Sequence, residues 1–137
     1  MNTALPDNAI NAEIKARLHN SDVNGVNFPL YLSRVTSANE KNYYLINTQL
    51  NQSTSTKCGK GWLHSTEIQV IVALDTNEGS KKLLNEATEL LRQELEDFSL
   101  TGFAVNKIDL SIENELVTNT ESEIVYQKII RLEIQIN

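Results

Sequence analysis

The side chains with the most reactive chemistry are two histidines, His19 and His64, and a single cysteine, Cys58. A nucleophile–histidine–acid arrangement needs a histidine oriented by a carboxylate, and a zinc site needs about four nitrogen or sulfur ligands at short spacings. His19 falls where a first helix is expected to end, a position at which a cation stabilises the helix C-terminus. His64 lies on the same face of a predicted strand as Trp62 and Ile68, which favours a buried histidine. These residues predict neither a catalytic triad nor a metal site.

The segment Gly59-Lys60-Gly61 superficially resembles a phosphate-binding loop. That motif needs a glycine five residues before the Gly-Lys pair and a serine or threonine after the lysine, whereas Thr54 and Gly61 occupy those positions. The segment also lies at a predicted hairpin tip rather than between a strand and a helix. The acidic residues near the C-terminus are more typical of a solvated face than of an acid–base cluster: Glu113, Glu115, Glu121 and Glu123. We therefore expect no enzymatic activity and no cofactor.

The length and composition indicate one folded domain. The chain has 137 residues, of which 40% are hydrophobic, enough for a sizeable core without disulfides. The lone Cys58 cannot form an internal disulfide, which favours a reducing compartment. No apolar run approaches the roughly 18 residues of a membrane span, and the first residues lack a signal-peptide pattern. The expectation is a soluble protein made in the cytoplasm.

The net charge of −6 is unevenly distributed along the chain. Acidic and basic side chains cancel over residues 1–88, whereas residues 89–137 carry ten acidic and four basic side chains. Affinity for nucleic acid comes largely from lysines and arginines that displace counterions from phosphates. An acidic chain without a basic cluster is therefore not expected to bind DNA directly.

The hydrophobic periodicity predicts an α+β domain with the order α-β-β-β-α-β-β, a mostly antiparallel sheet packed by two helices. Helices are predicted over residues 7–19, where Ile10, Ile14 and Leu18 share a face, and over residues 80–96, which carry a leucine stripe. Turn-forming residues follow at 20–25, and a short strand is predicted at 29–35. A long hairpin is predicted next, with an arm at about residues 50–64, and two strands close the domain.

The closing hairpin can be assigned a register from its side chains. Pairing Leu116 with Ile124 also places Asp109 opposite Arg131 and Lys107 opposite Glu133, whereas the neighbouring register opposes like charges. The first register is therefore predicted, with a loop of about five residues at 118–122. It places three apolar residues on the face opposite the core: Val117, Val125 and Ile129. They are either scattered surface residues or part of a surface that another subunit covers.

The layout resembles the tail terminator, or tail completion, family of long-tailed bacteriophages, the group that includes the minor tail protein U of phage lambda. The resemblance rests on an amphipathic N-terminal helix, an extended strand, and the strand His64-Ser65-Thr66-Glu67-Ile68-Gln69-Val70-Ile71-Val72 running into a turn and a second helix, followed by two closing strands. It spans nearly the whole chain. Lys81 and Lys82 stand where many relatives have an arginine-rich turn.

The resemblance implies a structural virion protein at the junction of tail and head. Such subunits form rings, typically hexamers, that cap the tail tube, stop its polymerisation and join it to the head. The implied partners are further copies of the chain, the tail tube protein and head connector proteins, with no membrane involved. DNA would pass through the ring without specific binding, and an acidic lumen that repels DNA is consistent with that passage.

A closed ring of identical subunits needs two different surfaces that meet. One candidate surface is the outer sheet face with Val117, Val125 and Ile129. The other is the hairpin arm, whose Lys57 and Lys60 could reach an acidic neighbour and whose base carries Trp62. The competing hypothesis is a small α+β ligand-binding or regulatory module that acts as a monomer or dimer. That module would need a concave apolar pocket, and the alternating pattern of the strands does not indicate one.

Overall fold

The computed structural model describes residues 5–35, 40–56, 59–75 and 81–137, excluding the side chains of residues 55, 56, 59 and 60. The first part of the chain forms α1 (Asp7–Leu18) and three short strands, β1 (Ser21–Val23), β2 (Val26–Phe28) and β3 (Leu30–Leu32). The long strands β4 (Asn42–Thr56) and β5 (Gly59–Asp75) precede α2 (Lys82–Leu95). The chain closes with β6 (Val105–Asn119) and β7 (Glu123–Ile136).

Five strands form one sheet in the order β3-β4-β5-β7-β6, and β1 and β2 form a separate hairpin. All neighbours in the large sheet are antiparallel except β3 and β4, which run parallel. Residues of both helices share one hydrophobic core with alternate residues of the long strands, so both helices cover the same face of the sheet. The predicted fold class, an α+β domain with a mostly antiparallel sheet and two helices, is confirmed.

Each helix buries the stripe that its sequence predicts. Ile10, Ile14 and Leu18 of α1 are fully buried, and so is the row on α2 formed by Leu84, Ala87, Leu91 and Leu95. The two helices also meet through Arg17, which donates a hydrogen bond to the Glu94 carbonyl (3.1 Å) and lies over the ring of Phe98 at 5.7 Å. The helix ends lie within two residues of the predicted bounds.

A small hairpin replaces the simple turn predicted at residues 20–25. β1 and β2 pair from Ser21–Phe28 to Val23–Val26, and Asn24 and Gly25 make the connection with positive φ angles of 52° and 87°. The Asp22 carboxylate accepts a hydrogen bond from the Gly25 amide at 2.8 Å, which holds the turn. Residues 20–25, which were predicted to form a turn, therefore contain strand β1 as well as the turn.

The predicted register of the closing hairpin is wrong. Asp109 lies opposite Glu133, not Arg131, and Lys107 lies opposite Gln135. Three residues, 120–122, connect β6 to β7 in place of the predicted five. Register shifts interrupt β6 between Val105 and Lys107 and again between Ile112 and Asn114.

The observed register keeps aliphatic pairs on the core side without the predicted charge pairs. It places three pairs of aliphatic residues directly opposite one another: Ile108 and Ile134, Leu110 and Leu132, and Ile112 and Ile130. Exposed charge pairs are worth only about 0–1 kcal/mol, and here the charges find other partners. Arg131 lies 3.6 Å from Glu113 and 3.9 Å from Glu133, while Lys107 lies 3.5 Å from Asp109. The charge pattern alone therefore selected the wrong pairing.

The second bulge of β6 also changes which face Val117 occupies. Val117 lies opposite the buried Tyr126 and therefore on the helix side of the sheet, not on the outer face as predicted. Leu116 instead pairs with Gln127 and joins Val125 and Ile129 on the outer face. One extra residue in a strand inverts the facing of every residue beyond it, and the sequence pattern does not reveal it.

The hairpin arm is integrated into the sheet for much of its length. β4 and β5 remain paired out to Thr56 and Gly59, but β5 also pairs with β7 from Trp62 onward, where Trp62 lies opposite Ile136. Of the described residues in this hairpin, 54–56 and 59–61 extend beyond the end of β7. The projecting tip is thus shorter than the predicted arm at about 50–64.

Candidate functional site

The outer face of the large sheet is not covered by either helix. At its centre lie apolar side chains from β4, β5 and β7: Tyr43, Leu45, Ile71, Val125 and Ile129. Ile71 is only 8% exposed, because its neighbours across the strands close over it. Gln127 donates a hydrogen bond to Gln69 at 2.8 Å beside this cluster. An apolar centre bordered by polar groups is typical of protein-contact surfaces.

One end of this outer face carries charged residues around a concavity of about 620 Å³. Lys41 and Glu123 form an ion pair there at 3.0 Å, which raises the pKa of the lysine through the Glu123 contact. Glu40 accepts a hydrogen bond from the Tyr31 hydroxyl at 2.6 Å, and this bond raises the tyrosine pKa. These two contacts hold polar and charged side chains in place at the edge of the apolar centre.

On the opposite side of the sheet, a second concavity lies between α2 and the edge strand β6. It encloses about 260 Å³ and is lined mainly by apolar groups: Thr88, Leu91, Arg92, Leu110, Ser111, Ile112 and Ile130. Ile112 is 60% exposed, because α2 does not reach far enough to cover it. We call this concavity the α2–β6 groove.

A buried polar network joins α1 to the base of the hairpin arm. His64 is fully buried, with Nδ1 at 2.7 Å from the Asn51 side-chain oxygen and Nε2 hydrogen-bonded to Thr66. Asn51 in turn donates to Asp7 at 2.6 Å, and Gln49 donates to Thr66 at 3.1 Å. Because each member has a partner, the network orients the arm on α1, in agreement with the prediction of a buried histidine.

Burial lowers the pKa of His64, although the nearby Asp7 carboxylate partly offsets the effect. The unfolded chain, with a histidine pKa of about 6.5, therefore binds more protons than the folded one below that pH. We expect the free energy of unfolding to be fully maintained above about pH 6.5. Below it, this free energy should fall by up to about 1.4 kcal/mol per pH unit until the folded pKa is reached.

Urea denaturation of the wild type and His64→Gln between pH 5 and 8 checks this expectation. The variant should lose the slope that His64 contributes, and His19→Gln is the matched control for removal of a histidine. An unchanged slope in His64→Gln would show that other groups cause the pH dependence.

The predicted interface residues do not form one surface. Val125 and Ile129 lie half-buried on the outer face, whereas Val117 lies on the helix side and is 47% exposed. Trp62 is half-buried and packs against the core. Lys57 and the side chain of Lys60 lie outside the described residues, so their predicted role stays a prediction.

Several surface residues were missed by the sequence reasoning. Leu50 is 65% exposed on the outer face, and Tyr31 packs edge-on against Tyr43 with ring centres 5.9 Å apart. The apolar outer face had a signal in the sequence, because Tyr43, Leu45 and Ile71 make both faces of the central strands apolar. Leu50 had no such signal, because the bulge between Ile46 and Thr48 moves it to the outer face. The α2–β6 groove had no such signal, since it depends on where α2 packs.

Comparison with solved structures shows where else this fold occurs. A chain from the virion of a native gene transfer agent particle matches with a TM-score of 0.59 over 93% of this chain and 92% of its own. This fold occurs in a virion. The two sequences are 16% identical, so the likeness establishes the fold alone. No protein-family model and no curated protein matches the chain.

Membrane-spanning helices and metal-binding clusters are absent from the described residues. Neither α1 nor α2 combines the length and hydropathy needed to cross a bilayer. Within the described ranges, no three histidine, cysteine or acidic side chains converge as a group that could hold a metal ion.

Proposed function

We propose that this chain is a structural protein of a phage-like virion, and specifically a tail terminator that forms a ring. The ring would cap the tail tube and join it to the head, and it would work without enzymatic activity. The observation that carries the proposal is the near full-length structural match to a chain of a gene transfer agent virion. The order of helices and strands that resembles the tail terminator family adds support.

The distribution of surfaces fits a ring better than a two-fold dimer. A ring joins two different patches on each subunit, whereas a two-fold dimer joins a patch to itself. The exposed apolar residues lie at opposite edges of the sheet, with Leu50 on β4 and Ile112 on β6. Each subunit therefore offers two unlike surfaces on opposite sides.

The α2–β6 groove gives the alternative, a ligand-binding module, its one supporting observation. The groove is mainly apolar, but it is small for a drug-sized ligand, which usually occupies about 300–1,000 Å³. Size-exclusion chromatography with light scattering, with and without tail tubes, separates the two functions. The ring predicts a species near six times the 15.4 kDa chain mass. A monomer or dimer under both conditions would contradict it.

Charge reversal at Lys57 and Lys60 tests the contribution of the arm. We expect Lys57→Glu combined with Lys60→Glu to weaken ring assembly without unfolding the monomer, because the partner surface is predicted to be acidic. Light scattering would measure assembly, and circular dichroism would verify the fold. The matched control is the same double change at Lys15 and Lys82, which are exposed on α1 and α2. Unchanged ring formation in the arm variant would exclude this contact.

A further inference from the structure

The two edges of the large sheet differ in how they limit pairing with other chains. β3 covers β4 only from Tyr44 to Ile46, and within the described residues no strand pairs with the outer edge of β4 over residues 47–56. That segment contains no charged residue and no proline. Edge strands usually carry charges, prolines or bulges that prevent edge-to-edge pairing. We call residues 47–56 the open edge.

The edge strand β6, in contrast, has several of these protective features. It carries two bulges and a series of charged residues, Lys107, Asp109, Glu113 and Glu115. Bulges and charges oppose the self-pairing of two β6 strands from different copies. The two edges are therefore unlike, which is the requirement for a head-to-tail contact.

The backbone groups available on the open edge can be assigned. The Tyr44 amide and the Ile46 carbonyl hydrogen-bond outward, to Pro29 and Ser33. The bulge between Ile46 and Thr48 shifts the alternation by one residue, while the β5–β7 ladder continues without a shift. Beyond the bulge, the outward amides and carbonyls therefore belong to residues 49, 51 and 53.

An exposed leucine lies beside the open edge on the helix side of the sheet. Leu5 is 59% exposed, and two residues later Asp7 accepts the hydrogen bond from Asn51 on β4. At the other edge of the sheet, the α2–β6 groove exposes Ile112 next to β6. An apolar side chain at one edge thus corresponds to an apolar concavity at the other, both on the helix side.

We propose that the open edge of one copy pairs with β6 of the next copy, so that the sheet continues across the subunit boundary and Leu5 enters the α2–β6 groove. This inference rests on the proposed ring. β4 and β6 run in opposite directions within the sheet, so they meet antiparallel when the open edge of one copy lies beside β6 of the next. Ile112 lies level with Ile46 across the sheet, whereas Leu5 lies near Asn51, so the strands of neighbouring copies must be tilted and staggered, as the closure of a sheet requires. The two edges also differ in charge, because Lys57 and Lys60 follow the open edge in sequence while β6 carries acidic residues. Opposite charges favour their contact.

Disulfide cross-linking tests the contact directly. The variant combines Leu5→Cys and Ile112→Cys with Cys58→Ser to remove the native thiol. Within one subunit, β4 and β6 are three strand spacings apart, about 14 Å, and a disulfide needs Cα atoms within about 7 Å. Mild oxidation of assembled rings should therefore give a covalent ladder beyond the dimer, and each single-cysteine variant should not.

The outcomes separate this contact from the ring itself. Wild-type rings whose double-cysteine variant assembles without a ladder would overturn the edge pairing and leave the ring function intact. If Leu5→Cys alone gave as much covalent dimer as the double variant, two copies would meet through a two-fold contact at Leu5. That result would also overturn the edge pairing. Absence of rings from the wild type with tail tubes would overturn both.

A second variant tests the backbone pairing without cysteines. Ser53→Pro removes one outward amide from an exposed position, while the matched Ser53→Ala keeps it. Loss of one hydrogen bond and of strand geometry should weaken assembly about tenfold in Ser53→Pro and leave Ser53→Ala unchanged. Equal assembly of the two variants, measured by light scattering on folded monomers, would contradict pairing through the open edge.

Discussion

Replacing Tyr44 by alanine is expected to lower the free energy of unfolding by about 3–5 kcal/mol. Tyr44 is fully buried, packs against Phe28 with ring centres 5.4 Å apart, and donates a hydrogen bond from its hydroxyl to the Ala87 carbonyl at 3.1 Å. It therefore joins β4 to both β2 and α2. Its burial strongly raises the pKa of the hydroxyl, so the side chain stays neutral over the whole working range.

Tyr44→Phe separates packing from hydrogen bonding in this prediction. The phenylalanine keeps the ring and removes the hydroxyl, so we expect a loss of only about 1 kcal/mol. Urea denaturation followed by circular dichroism measures both variants. Equal losses for alanine and phenylalanine would mean that the hydroxyl, and not the ring, dominates at this position.

Replacing Gly61 by valine is expected to lower the free energy of unfolding by about 3 kcal/mol, and by alanine about 1–3 kcal/mol. A β-carbon at position 61 would overlap the backbone carbonyl oxygen of Ile136 and come within 3.1 Å of the Thr54 hydroxyl. Backbone cannot move aside as a flexible side chain can, so β5 and β7 must separate. This close approach explains the glycine that the sequence placed in an apparent phosphate-loop motif.

Gly25→Ala is the matched comparison for Gly61. A β-carbon at Gly25 meets no atom within 4 Å, and its cost comes only from the positive φ of 87°, about 1–2 kcal/mol. We expect Gly61→Ala and Gly61→Val to become progressively less stable, since a larger side chain increases the overlap. A higher melting temperature for Gly61→Val than for Gly61→Ala would contradict the steric account.

The sequence predicts those parts of this fold that depend on regular hydrophobic periodicity. The stripes of both helices and the alternation of β5 and β7 place the core residues correctly, including His64. The bulges of β4 and β6 reverse the alternation beyond them and place Leu50 and Leu116 on the outer face. The β1–β2 hairpin was missed because its strands have three residues each and contain polar turn formers. The register of β6 and β7 was missed because a bulge leaves no periodic signal and because exposed charge pairs are too weak to select a register.

The candidate surfaces were predictable only in part. Val125 and Ile129 lie on the outer face as their parity predicts, but Val117 does not, because the bulge of β6 precedes it. The α2–β6 groove and the open edge depend on how far α2 and β3 extend over their neighbours. Such limits are set by tertiary packing and by the length of short elements, neither of which a one-dimensional pattern contains.

The most direct test of the proposed function is electron microscopy of tail tubes incubated with the purified chain. The tubes should come from the particle whose genome encodes the chain, assembled without this protein. The account predicts a ring with a central opening at one end of each tube, and tubes that stop lengthening once the ring is present. Tubes that keep polymerising with bare ends, in the presence of excess folded protein, would contradict it.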